Sequence, residues 1–452
     1  MEYKKSFFNV EIEELENGQK LIYNTYSGIF GIMDKKTQAI YNDIENLNVL
    51  NIDDSEMIKN IDLMSKLGYI VNSRKDELAT VKLERAKYRH PQNSMILTVA
   101  PTMDCNMRCP YCFEDKRNLV MSDEVQNQLV SFVKMHLVKY PTIKYLAVTW
   151  FGGEPLMQKE IIYNLSEQLI DLCKEKEVEY SAIVITNGAL LDTQTAERLA
   201  SECKVSSVQI TIDGMRESHN KRRILINGED SFGIITKNIE SCKNILDIDV
   251  RVNVDKNNID EVRTLAKYFF EERGWVNNPV IYLAPVEDYS QSCPTKNSSC
   301  LEGEQFAEVN TEYVRTLYLV NRDFVSRQFF PKRKSVFCAG EGMLNYVIDP
   351  EGYISNCYVT IGVKENRTGH ISQPFVVTPE YAKWMFSEIP KECEKCEYLP
   401  MCMGGCGLHR VLRGGSPKCF RTYYTYKDIL KLAYEDYITQ KSQKEAKETA
   451  TT

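Results

Sequence analysis

The sequence predicts an α/β protein built around a parallel β-sheet, with helices on the outside of the sheet. Between residue 94 and about residue 285, short runs of β-branched and other apolar residues alternate with helical patterns. The loops between them are short, which is typical of βα repeats, because parallel strands need a crossover connection. The pattern fits an open doubly wound sheet or a partly closed barrel, and in both architectures ligands bind at the carboxyl ends of the strands.

Each element of this middle domain, residues 91–290, follows from its own stretch of sequence. Short β-rich runs bounded by turn residues predict strands at 95–100, 145–150, 182–186, 207–212, 249–254 and 280–284. Apolar residues spaced three and four apart predict helices near 122–139, 160–177, 193–202, 231–244 and 259–272.

A smaller domain is predicted for residues 1–90. Its turn Asn17-Gly18 favours a tight β-hairpin, because both residue types tolerate the left-handed conformation. The domain carries no cluster of reactive side chains, so we expect a binding or docking role, with a purely structural extension as the alternative. The predicted elements are strands at 10–15, 20–23 and 68–71, helices at 36–44 and 54–67, and a polar linker at 72–92.

The composition narrows the class of protein. The net charge is −7 and the isoelectric point is about 5.6, so no basic surface indicates nucleic acid as a partner. We find neither an apolar signal sequence nor a run long enough to span a bilayer, and we expect a soluble, cytoplasmic protein without a membrane partner. Fifteen cysteines in a reducing compartment then indicate metal or redox chemistry rather than disulfides.

The most informative cysteines are Cys105, Cys109 and Cys112, which follow the first predicted strand with the spacing C-x3-C-x2-C. Soft thiolates favour iron–sulfur clusters, and three of them can hold three irons of a [4Fe–4S] cube. The fourth iron is then left without a protein ligand, so it can bind a small molecule and pass it one electron. Three buried thiols or a zinc site are the alternatives.

The loops after the next three strands carry unusual residues as well. They contain Phe151-Gly152-Gly153-Glu154-Pro155, Thr186-Asn187-Gly188 and Thr211-Ile212-Asp213-Gly214. Ordinary turn chemistry explains Asn-Gly or Asp-Gly taken alone. Because the carboxyl ends of parallel strands lie at one edge of the sheet, we expect these loops and the three-cysteine loop to form one active site.

On these residues the chain resembles radical S-adenosylmethionine (SAM) enzymes with a SPASM domain, and within them the peptide maturases. The resemblance implies a partial (β/α)6 TIM-like barrel, an N-terminal winged-helix-like domain that recognises a leader peptide, and a C-terminal cysteine-rich SPASM domain. It also implies that Cys105, Cys109 and Cys112 form the catalytic centre. In such enzymes the open iron binds SAM, which is cleaved to a 5′-deoxyadenosyl radical.

The resemblance also implies which residues contact SAM. The glycines of the Gly-Gly-Glu motif let the backbone approach closely, and its carboxylate would pair with the SAM ammonium. Arg251 is expected to pair with the SAM carboxylate, with an exposed strand arginine as the alternative. The complete implied set is Tyr111, Phe113, Gly152, Gly153, Glu154, Asn187, Thr211, Asp213 and Arg251.

The SPASM domain is expected at residues 291–437, followed by a disordered tail at 438–452 because the tail is polar. One auxiliary [4Fe–4S] cluster would be held by Cys393, Cys396, Cys402 and Cys419. Cys338, Cys357 and Cys406 would supply three ligands to another cluster, which makes three clusters in all. Either this last cluster has an open iron that suits a substrate thiolate, or Cys293 or Cys300 fills the position. The alternative is a zinc ion bound by Cys393, Cys396, Cys402 and Cys406.

From the resemblance we predict a maturase that forms an intramolecular thioether, from a cysteine sulfur to a carbon, in a ribosomally made precursor peptide. The leader of this peptide would add an edge strand to the N-terminal domain, and a flavodoxin or ferredoxin would donate electrons. The alternatives are carbon–carbon crosslinking of a peptide and the anaerobic maturation of a sulfatase by formylglycine formation. A scaffold or electron-transfer protein without SAM chemistry is the fourth hypothesis, against which the Gly-Gly-Glu loop argues.

Overall fold

The computed structural model describes residues 2–47, 53–90, 93–287, 299–320, 329–412, 419 and 421–450. The strands are β1 (Tyr3–Lys5), β2 (Asn9–Glu14), β3 (Lys20–Asn24), β4 (Ile29–Met33), β5 (Ile70–Asn72), β6 (Ser94–Val99), β7 (Tyr145–Trp150), β8 (Glu179–Ile185), β9 (Val205–Thr211), β10 (Asp247–Val254), β11 (Val280–Pro285), β12 (Asn345–Ile348), β13 (Tyr353–Ser355) and β14 (Gly369–His370).

The α-helices follow the same chain order, with short 3-10 and π turns between them. They are α1 (Lys35–Asp43), α2 (Ser55–Leu67), α3 (Glu77–Arg89), α4 (Asp123–Lys139), α5 (Lys159–Glu175), α6 (Thr193–Ser201), α7 (Arg216–Arg222), α8 (Ser231–Cys242), α9 (Val262–Lys267), α10 (Gly303–Val320), α11 (Pro379–Met385), α12 (Leu399–Cys402) and α13 (Arg421–Ala450).

The chain divides into two compact units rather than three consecutive domains. The first unit comprises Met1–Arg89, Asn321–Cys338 and Glu388–Thr452, and the second comprises His90–Val320 and Ala339–Ser387. The predicted cysteine-rich segment therefore contributes to both units. The reason is that β12 hydrogen-bonds to β6, whereas Tyr398 and Met401 pack against side chains of β2 and β3.

The second unit is built on one sheet in the order β11-β10-β9-β8-β7-β6-β12-β13-β14. Neighbouring strands from β6 to β11 are parallel, β12 is parallel to β6, and β13 and β14 are antiparallel additions. The predicted parallel α/β sheet is thus confirmed, with strand ends shifted by a few residues. The strand that extends it beyond β6 comes from a distant part of the chain.

One face of this sheet is fully buried and the other only partly. In β6, Met95, Leu97 and Val99 expose no surface, while the residues between them are half-buried. β7 repeats this alternation, which ends at the fully buried Trp150. A period of two places these side chains on one face, and the opposite face remains available to line a site.

The predicted helix at 259–272 is a sequence of three turns instead. A 3-10 turn at Ile259–Glu261 leads into α9, and a π turn at Tyr268–Glu272 follows. Three consecutive aromatic side chains, at residues 268–270, are all buried in that wider turn. The hydrophobic spacing alone does not distinguish such a turn from an α-helix.

The first unit contains the antiparallel pair β1–β5 and the three-stranded sheet β2-β3-β4. The predicted hairpin corresponds to β2 and β3, but β4 and α3 were not predicted. α3 lies in the stretch that was predicted to be a polar linker. Its composition is strongly charged, and one of its buried residues, Glu77, is an acid, so its sequence shows no clear apolar face. Glu77 accepts hydrogen bonds from Ser6 Oγ at 2.6 Å and Phe7 N at 2.9 Å, which ties α3 to the N-terminal strands.

The stretch 438–452, which its polarity predicts to be a disordered tail, is described as helical up to Ala450, where α13 ends. The first part of α13 is anchored by buried Tyr426, Ile429 and Leu430. Once a helix is nucleated by packing, each added residue gains one hydrogen bond, and the Lys, Glu, Gln and Ala residues that follow have high helix propensity. Across the described residues, the structure contains no helix that is long and apolar enough to cross a membrane.

We predict that His136 makes the stability of the protein depend on pH. His136 is buried on α4, 2.8 Å from Phe132 O and 2.9 Å from Tyr346 Oη, and burial lowers its pKa. The unfolded chain therefore binds more protons below about pH 6.5, so stability is full above that pH and falls below it. In His136→Gln, we expect a loss of about 1 kcal/mol at neutral pH and a flatter pH dependence. Thermal unfolding between about pH 5.5 and 7.5 measures both.

The exposed residue His90 provides the matched control, His90→Gln. This variant should follow the wild type at every pH. Equal pH dependence in the wild type and His136→Gln would contradict the assignment.

Candidate active site

A cavity of about 260 Å³ lies at the carboxyl ends of the parallel strands in the second unit. Most of the residues predicted to hold the first cluster or SAM line it. They are Cys105, Cys109, Tyr111, Cys112, Phe113, Gly152, Gly153, Asn187, Thr211 and Arg251. Two predicted residues, Glu154 and Asp213, stand behind this lining, and neither exposes any surface.

The glycines of the Gly-Gly-Glu loop allow this loop to pack directly on the three-cysteine loop. A Cβ on Gly153 would lie 2.7 Å from Met103 O and closer still to the backbone of Asp104. Gly152 has a φ of +114°, and a Cβ there would lie 2.9 Å from Ala100 Cβ. Backbone hydrogen bonds run through the same contact, from Gly153 N to Thr102 O and from Glu154 N to Asp104 O. Only glycine permits this approach.

A second segment supports the three-cysteine loop from another side. Arg108 N donates to Ile224 O at 2.8 Å, and Ile226 N donates to Asn106 O at 3.0 Å. Met107 and Leu225 form the antiparallel bridge between these bonds. The loop therefore gains a short β-ladder that no spacing in the sequence indicated.

The Glu154 carboxylate is used inside the protein. Its Oε1 accepts hydrogen bonds from Thr186 Oγ1 at 2.6 Å and Leu156 N at 3.0 Å, and Oε2 accepts one from Asn187 N at 2.7 Å. Burial raises its pKa, while these donors favour the charged form. The carboxylate thus joins the loop after β7 to the end of β8. A direct pair with the SAM ammonium stays a prediction, and the geometry shows a positioning role.

Asn187 connects the end of β8 to the three-cysteine loop. Its Nδ2 donates to Asn106 Oδ1 at 2.7 Å and approaches Cys105 Sγ at 3.9 Å, while its Oδ1 accepts from Ala189 N. Burial raises the pKa of the Cys105 thiol to about 12. A buried thiol of this kind loses its proton when it binds a metal ion, so Cys105 could serve as an iron ligand.

Behind the cavity, the Asp213 carboxylate orients Tyr111. The Tyr111 hydroxyl donates to Asp213 Oδ2 and accepts from Arg223 Nη1 at 2.9 Å. The other oxygen, Asp213 Oδ1, accepts from Asn253 N at 2.9 Å. Arg223 lines the cavity as a cation near Cys109. Sequence reasoning missed Arg223 because nothing distinguished it from the adjacent Arg222, which forms an ion pair with Asp255.

The cavity also has an apolar wall and a buried acid that were not fully predicted. Tyr358 contacts both Phe113 and Phe151, with ring centroids 6.4 Å apart for Phe113–Tyr358 and 5.4 Å for Phe151–Tyr358. Tyr358 directly follows Cys357, so the cysteine-rich segment reaches the cavity wall within this unit. Glu114 lines the cavity too, and burial raises its pKa to about 8.

Four of the cysteines predicted for an auxiliary cluster influence one another in the first unit. The negative charges of Cys396, Cys402 and Cys419 all raise the pKa of Cys393, although burial is the larger cause. Among the described residues, no three His, Cys, Asp or Glu side chains converge as ligands of a single metal ion. A cube spaces its thiolates around four irons, and the charge coupling of these four thiols fits such a group.

The remaining predicted ligands are divided between the units. Cys338 and Cys406 belong to the first unit, and Cys357 and Cys300 belong to the second. Cys293 lies outside the described residues. The assignment of these cysteines to one further cluster stays a prediction.

Three comparisons agree with this geometry. Residues 99–269 match the Radical SAM superfamily. The cysteine-type anaerobic sulfatase-maturating enzyme of Clostridium perfringens (strain 13 / Type A) is 25% identical over 381 residues, which cover 76% of this chain and 97% of that protein. A parallel sheet with a thiolate loop and a close glycine loop at its carboxyl edge thus defines a radical SAM domain.

Two solved structures share the fold. Native anSMEcpe with bound AdoMet and Kp18Cys peptide has a TM-score of 0.60 and 20% identity, and the match covers 77% of this chain and 99% of that one. Streptococcus suis SuiB bound to precursor peptide SuiA has a TM-score of 0.50 and 16% identity, with 93% of this chain and 98% of that one covered. The chain is a radical SAM enzyme, and its cofactors are SAM and a [4Fe–4S] cluster.

We predict that Gly153→Ala prevents the three-cysteine loop from holding its cluster. The added methyl group meets backbone atoms of Asp104 and Met103, which cannot rotate away as a side chain could. After anaerobic reconstitution, we expect a loss of about four irons per chain and of SAM cleavage, because one cube is missing. The control is Gly369→Ala, where the new methyl group would lie 3.8 Å from Ile354 Cδ1. Full iron content in Gly153→Ala would contradict the prediction.

Proposed function

We propose that this chain is a radical SAM maturase that oxidises a cysteine side chain in a peptide or protein substrate to formylglycine. The observation that carries the proposal is the alignment with the cysteine-type sulfatase-maturating enzyme, which extends over 97% of that enzyme. Such an alignment is much longer than the stretch 99–269 that matches the Radical SAM superfamily. It supports this reaction, an alternative in the sequence-based prediction, more strongly than thioether formation.

The cavity suits a reaction that begins with removal of a hydrogen atom. SAM bound at the first cluster supplies a 5′-deoxyadenosyl radical when it receives one electron. The aromatic side chains of Phe113, Phe151 and Tyr358 form an apolar wall that excludes water from the reacting carbon. Arg223 and Arg251 line the cavity and would attract the carboxylate of the methionine part of SAM. Tyr111, whose hydroxyl is held by Asp213, would lie beside the adenine ring of SAM.

The overall change at the substrate balances when the protein supplies an acceptor for one electron and the solvent takes one proton. Removal of one hydrogen atom from the cysteine Cβ, followed by loss of one electron and one proton, gives a thioaldehyde. Water then replaces the sulfur as hydrogen sulfide and leaves the aldehyde. An electron acceptor must lie close to the substrate for this sequence, which is the role we propose for the auxiliary clusters of the SPASM region.

We propose that Cys393, Cys396, Cys402 and Cys419 hold one auxiliary cluster, as their mutual charge interactions support. Cys338, Cys357 and Cys406 would hold the other, with an open iron or with Cys300 or Cys293 as its fourth ligand. The open-iron arrangement suits a substrate thiolate, because coordination would deprotonate the thiol and hold it in place. A flavodoxin or ferredoxin would donate the electron that starts the reaction.

A second candidate is the crosslinking of a precursor peptide, by a thioether or by a carbon–carbon bond, and a specific observation supports it. About a quarter of this chain lies outside the alignment with the sulfatase-maturating enzyme, since that alignment covers 76% of the chain. The SuiB structure, which is bound to its precursor peptide, covers 93% of this chain. The additional part of the chain would then serve to bind a leader peptide.

The free edge of β4 supports a leader-binding role for the three-stranded sheet. In the described part of this sheet, β4 pairs only with β3, and it carries Ile29, Phe30, Gly31 and Ile32 without a charge. The other edge strand, β2, is protected by exposed glutamates and by a β-bulge between Glu11 and Glu13. An unprotected, uncharged edge is suited to pairing with an extended peptide.

The test combines anaerobically reconstituted enzyme, SAM and a reductant with cysteine-containing peptides of the sulfatase type and with peptides encoded beside the gene. We expect the modified peptide to lose sulfur and to gain a carbonyl oxygen that reacts with a hydrazide, as seen by high-resolution mass spectrometry. A matched peptide with alanine in place of the cysteine, and the Cys105→Ala enzyme, are the controls.

The other outcomes separate the candidates. Loss of two hydrogens with one thiol blocked for each event would overturn formylglycine formation and favour a thioether. Loss of two hydrogens with every thiol still reactive would favour carbon–carbon crosslinking. SAM cleavage that leaves every peptide unchanged would contradict both cysteine reactions on these substrates.

A further inference from the structure

A second cavity, of about 450 Å³, lies in the first unit and is lined largely by charged residues. We define the basic groove as the cavity lined by Lys4, Phe7, Arg74, Lys75, Asp76, Glu77, Leu78, Glu394 and Lys395. It brings together β1, the start of α3 and the short turn Cys393–Lys395, which are far apart in the sequence. Neither the active site nor the proposed peptide edge includes these residues.

The acidic residues of the basic groove are engaged within the protein. Asp76 caps α3 by accepting from Ala79 N at 2.8 Å, Glu77 accepts from Ser6 and Phe7, and Glu394 forms an ion pair with Lys82 at 2.6 Å. Lys82 offsets the charge of Glu394, whereas Asp76 and Glu77 accept from neutral donors and keep their negative charge. The four cations of the groove therefore still exceed its three acids, and the field toward an incoming ligand is positive.

The cations, in contrast, remain available. Within the described residues, Lys4, Arg74 and Lys395 form no ion pair, and Lys75 contacts only the ring of Tyr26, 4.9 Å from its centroid. Both Arg74 and Lys395 are exposed. Four cations around one groove stand out in a chain whose net charge is −7. A local positive field on an acidic protein attracts a negatively charged partner and orients it.

The basic groove also lies next to the cysteines proposed to hold an auxiliary cluster. Glu394 and Lys395 are the two residues between Cys393 and Cys396. Cys393 and Leu78, a groove residue, pack against the same apolar cluster around Phe8 and Val81. A partner seated in the groove would thus lie beside the turn that carries two of the proposed cluster ligands. Electron transfer requires such an approach, because its rate falls steeply with distance.

We propose that the basic groove is the docking site of a small acidic one-electron carrier that exchanges an electron with the cluster at Cys393, Cys396, Cys402 and Cys419. In one direction the reduced carrier loses one electron and the cluster gains it. In the other direction the cluster that has accepted the electron of the substrate passes it to the oxidised carrier, and no bond is formed or broken in either transfer. The proposal rests on the proposed function, since it assumes that this cluster is present. Phe7, which is 47% exposed, supplies an apolar centre within the ring of cations. Weak, partly charged contacts of this kind are typical of electron-transfer complexes.

An acidic segment of the substrate peptide is the competing occupant, and the observations favour the carrier. Every residue that lines the basic groove belongs to the first unit, as do the four cysteines proposed to hold this auxiliary cluster. A carrier needs contact with a cluster, and two proposed cluster ligands flank groove residues. The position of the charges thus matches electron delivery.

The test uses the reconstituted holoenzyme and an acidic flavodoxin as the probe. We expect Lys4→Glu/Arg74→Glu to weaken flavodoxin binding by about tenfold or more at low ionic strength, and we expect wild-type binding to weaken as salt screens the charges. Oxidation of the reduced flavin by the enzyme should slow by a similar factor. Neither residue is close to the proposed cysteines in sequence, so iron content and dithionite-driven SAM cleavage should stay at the wild-type level.

Lys134→Glu/Lys144→Glu is the matched control, because it makes the same change in charge at two exposed lysines of the second unit. The single change Lys395→Glu tests the side of the groove that carries the cysteines, and it should weaken flavodoxin binding as well. Unchanged flavodoxin binding in Lys4→Glu/Arg74→Glu would overturn the proposal. So would an equal loss in the control variant, or a loss of affinity for a cysteine-containing peptide in place of flavodoxin.

The proposed function is tested separately by dithionite-driven modification of the peptide, which needs no carrier. Failure of that reaction with intact flavodoxin binding would contradict the proposed chemistry and leave the docking site in place. Successful peptide modification, with flavodoxin binding unchanged in the groove variants, would support the proposed chemistry and overturn the docking site.

Discussion

The contact between two loops at the carboxyl edge of the sheet is the constraint on which the site depends. The three-cysteine loop after β6 and the Gly-Gly-Glu loop after β7 meet backbone to backbone, with no room for a side chain at Gly152 or Gly153. Because β6 and β7 are parallel neighbours, with Val99 opposite Trp150, both loops begin at the same level. The sheet register therefore determines which backbone groups surround the thiolates.

Buried polar groups then fix the remaining loops relative to this contact. Glu154 joins the loop after β7 to the end of β8, and Asn187 continues the connection to the thiolate loop. Asp213, after β9, holds Tyr111 from behind. Each of these side chains is satisfied by partners inside the protein, so the cavity walls are organised before any ligand binds. Such preorganisation is what lets a protein direct a reactive radical to one hydrogen atom.

The sequence was sufficient to predict the parallel sheet. Most of the residues predicted to hold the first cluster or SAM line the cavity, although they make up less than half of its lining. Alternating apolar residues set the strands, and residues after the strand ends must share one edge, which is why Cys105, Gly152, Asn187 and Thr211 could be grouped. Arg223 and Tyr358 could not be predicted, because they reach the cavity through a helix end and a distant segment. The roles of Glu154 and Asp213 depend on hydrogen-bond partners, which spacing does not reveal.

The division of the chain into two compact units could not be predicted either, because it depends on contacts between distant parts of the sequence. Extension of the sheet by β12 and the packing of Tyr398 against the N-terminal strands are long-range contacts, and no local pattern records them. α13 shows the converse, since a polar composition favoured disorder while buried residues near its start hold the helix. The proposed clusters of the cysteine-rich region are inferred from the family resemblance, whereas the basic groove beside Cys393 and Cys396 is known only from the structure.

The central claim is that Cys105, Cys109 and Cys112 hold a cluster whose open iron binds SAM at this cavity. Electron–nuclear double resonance of the reduced holoenzyme, with SAM labelled in its amino nitrogen and carboxylate oxygen, tests it most directly. The account predicts hyperfine coupling from both labels to the cluster, and its loss in Cys109→Ala. A fully iron-loaded enzyme that shows no coupling to either label would contradict the account.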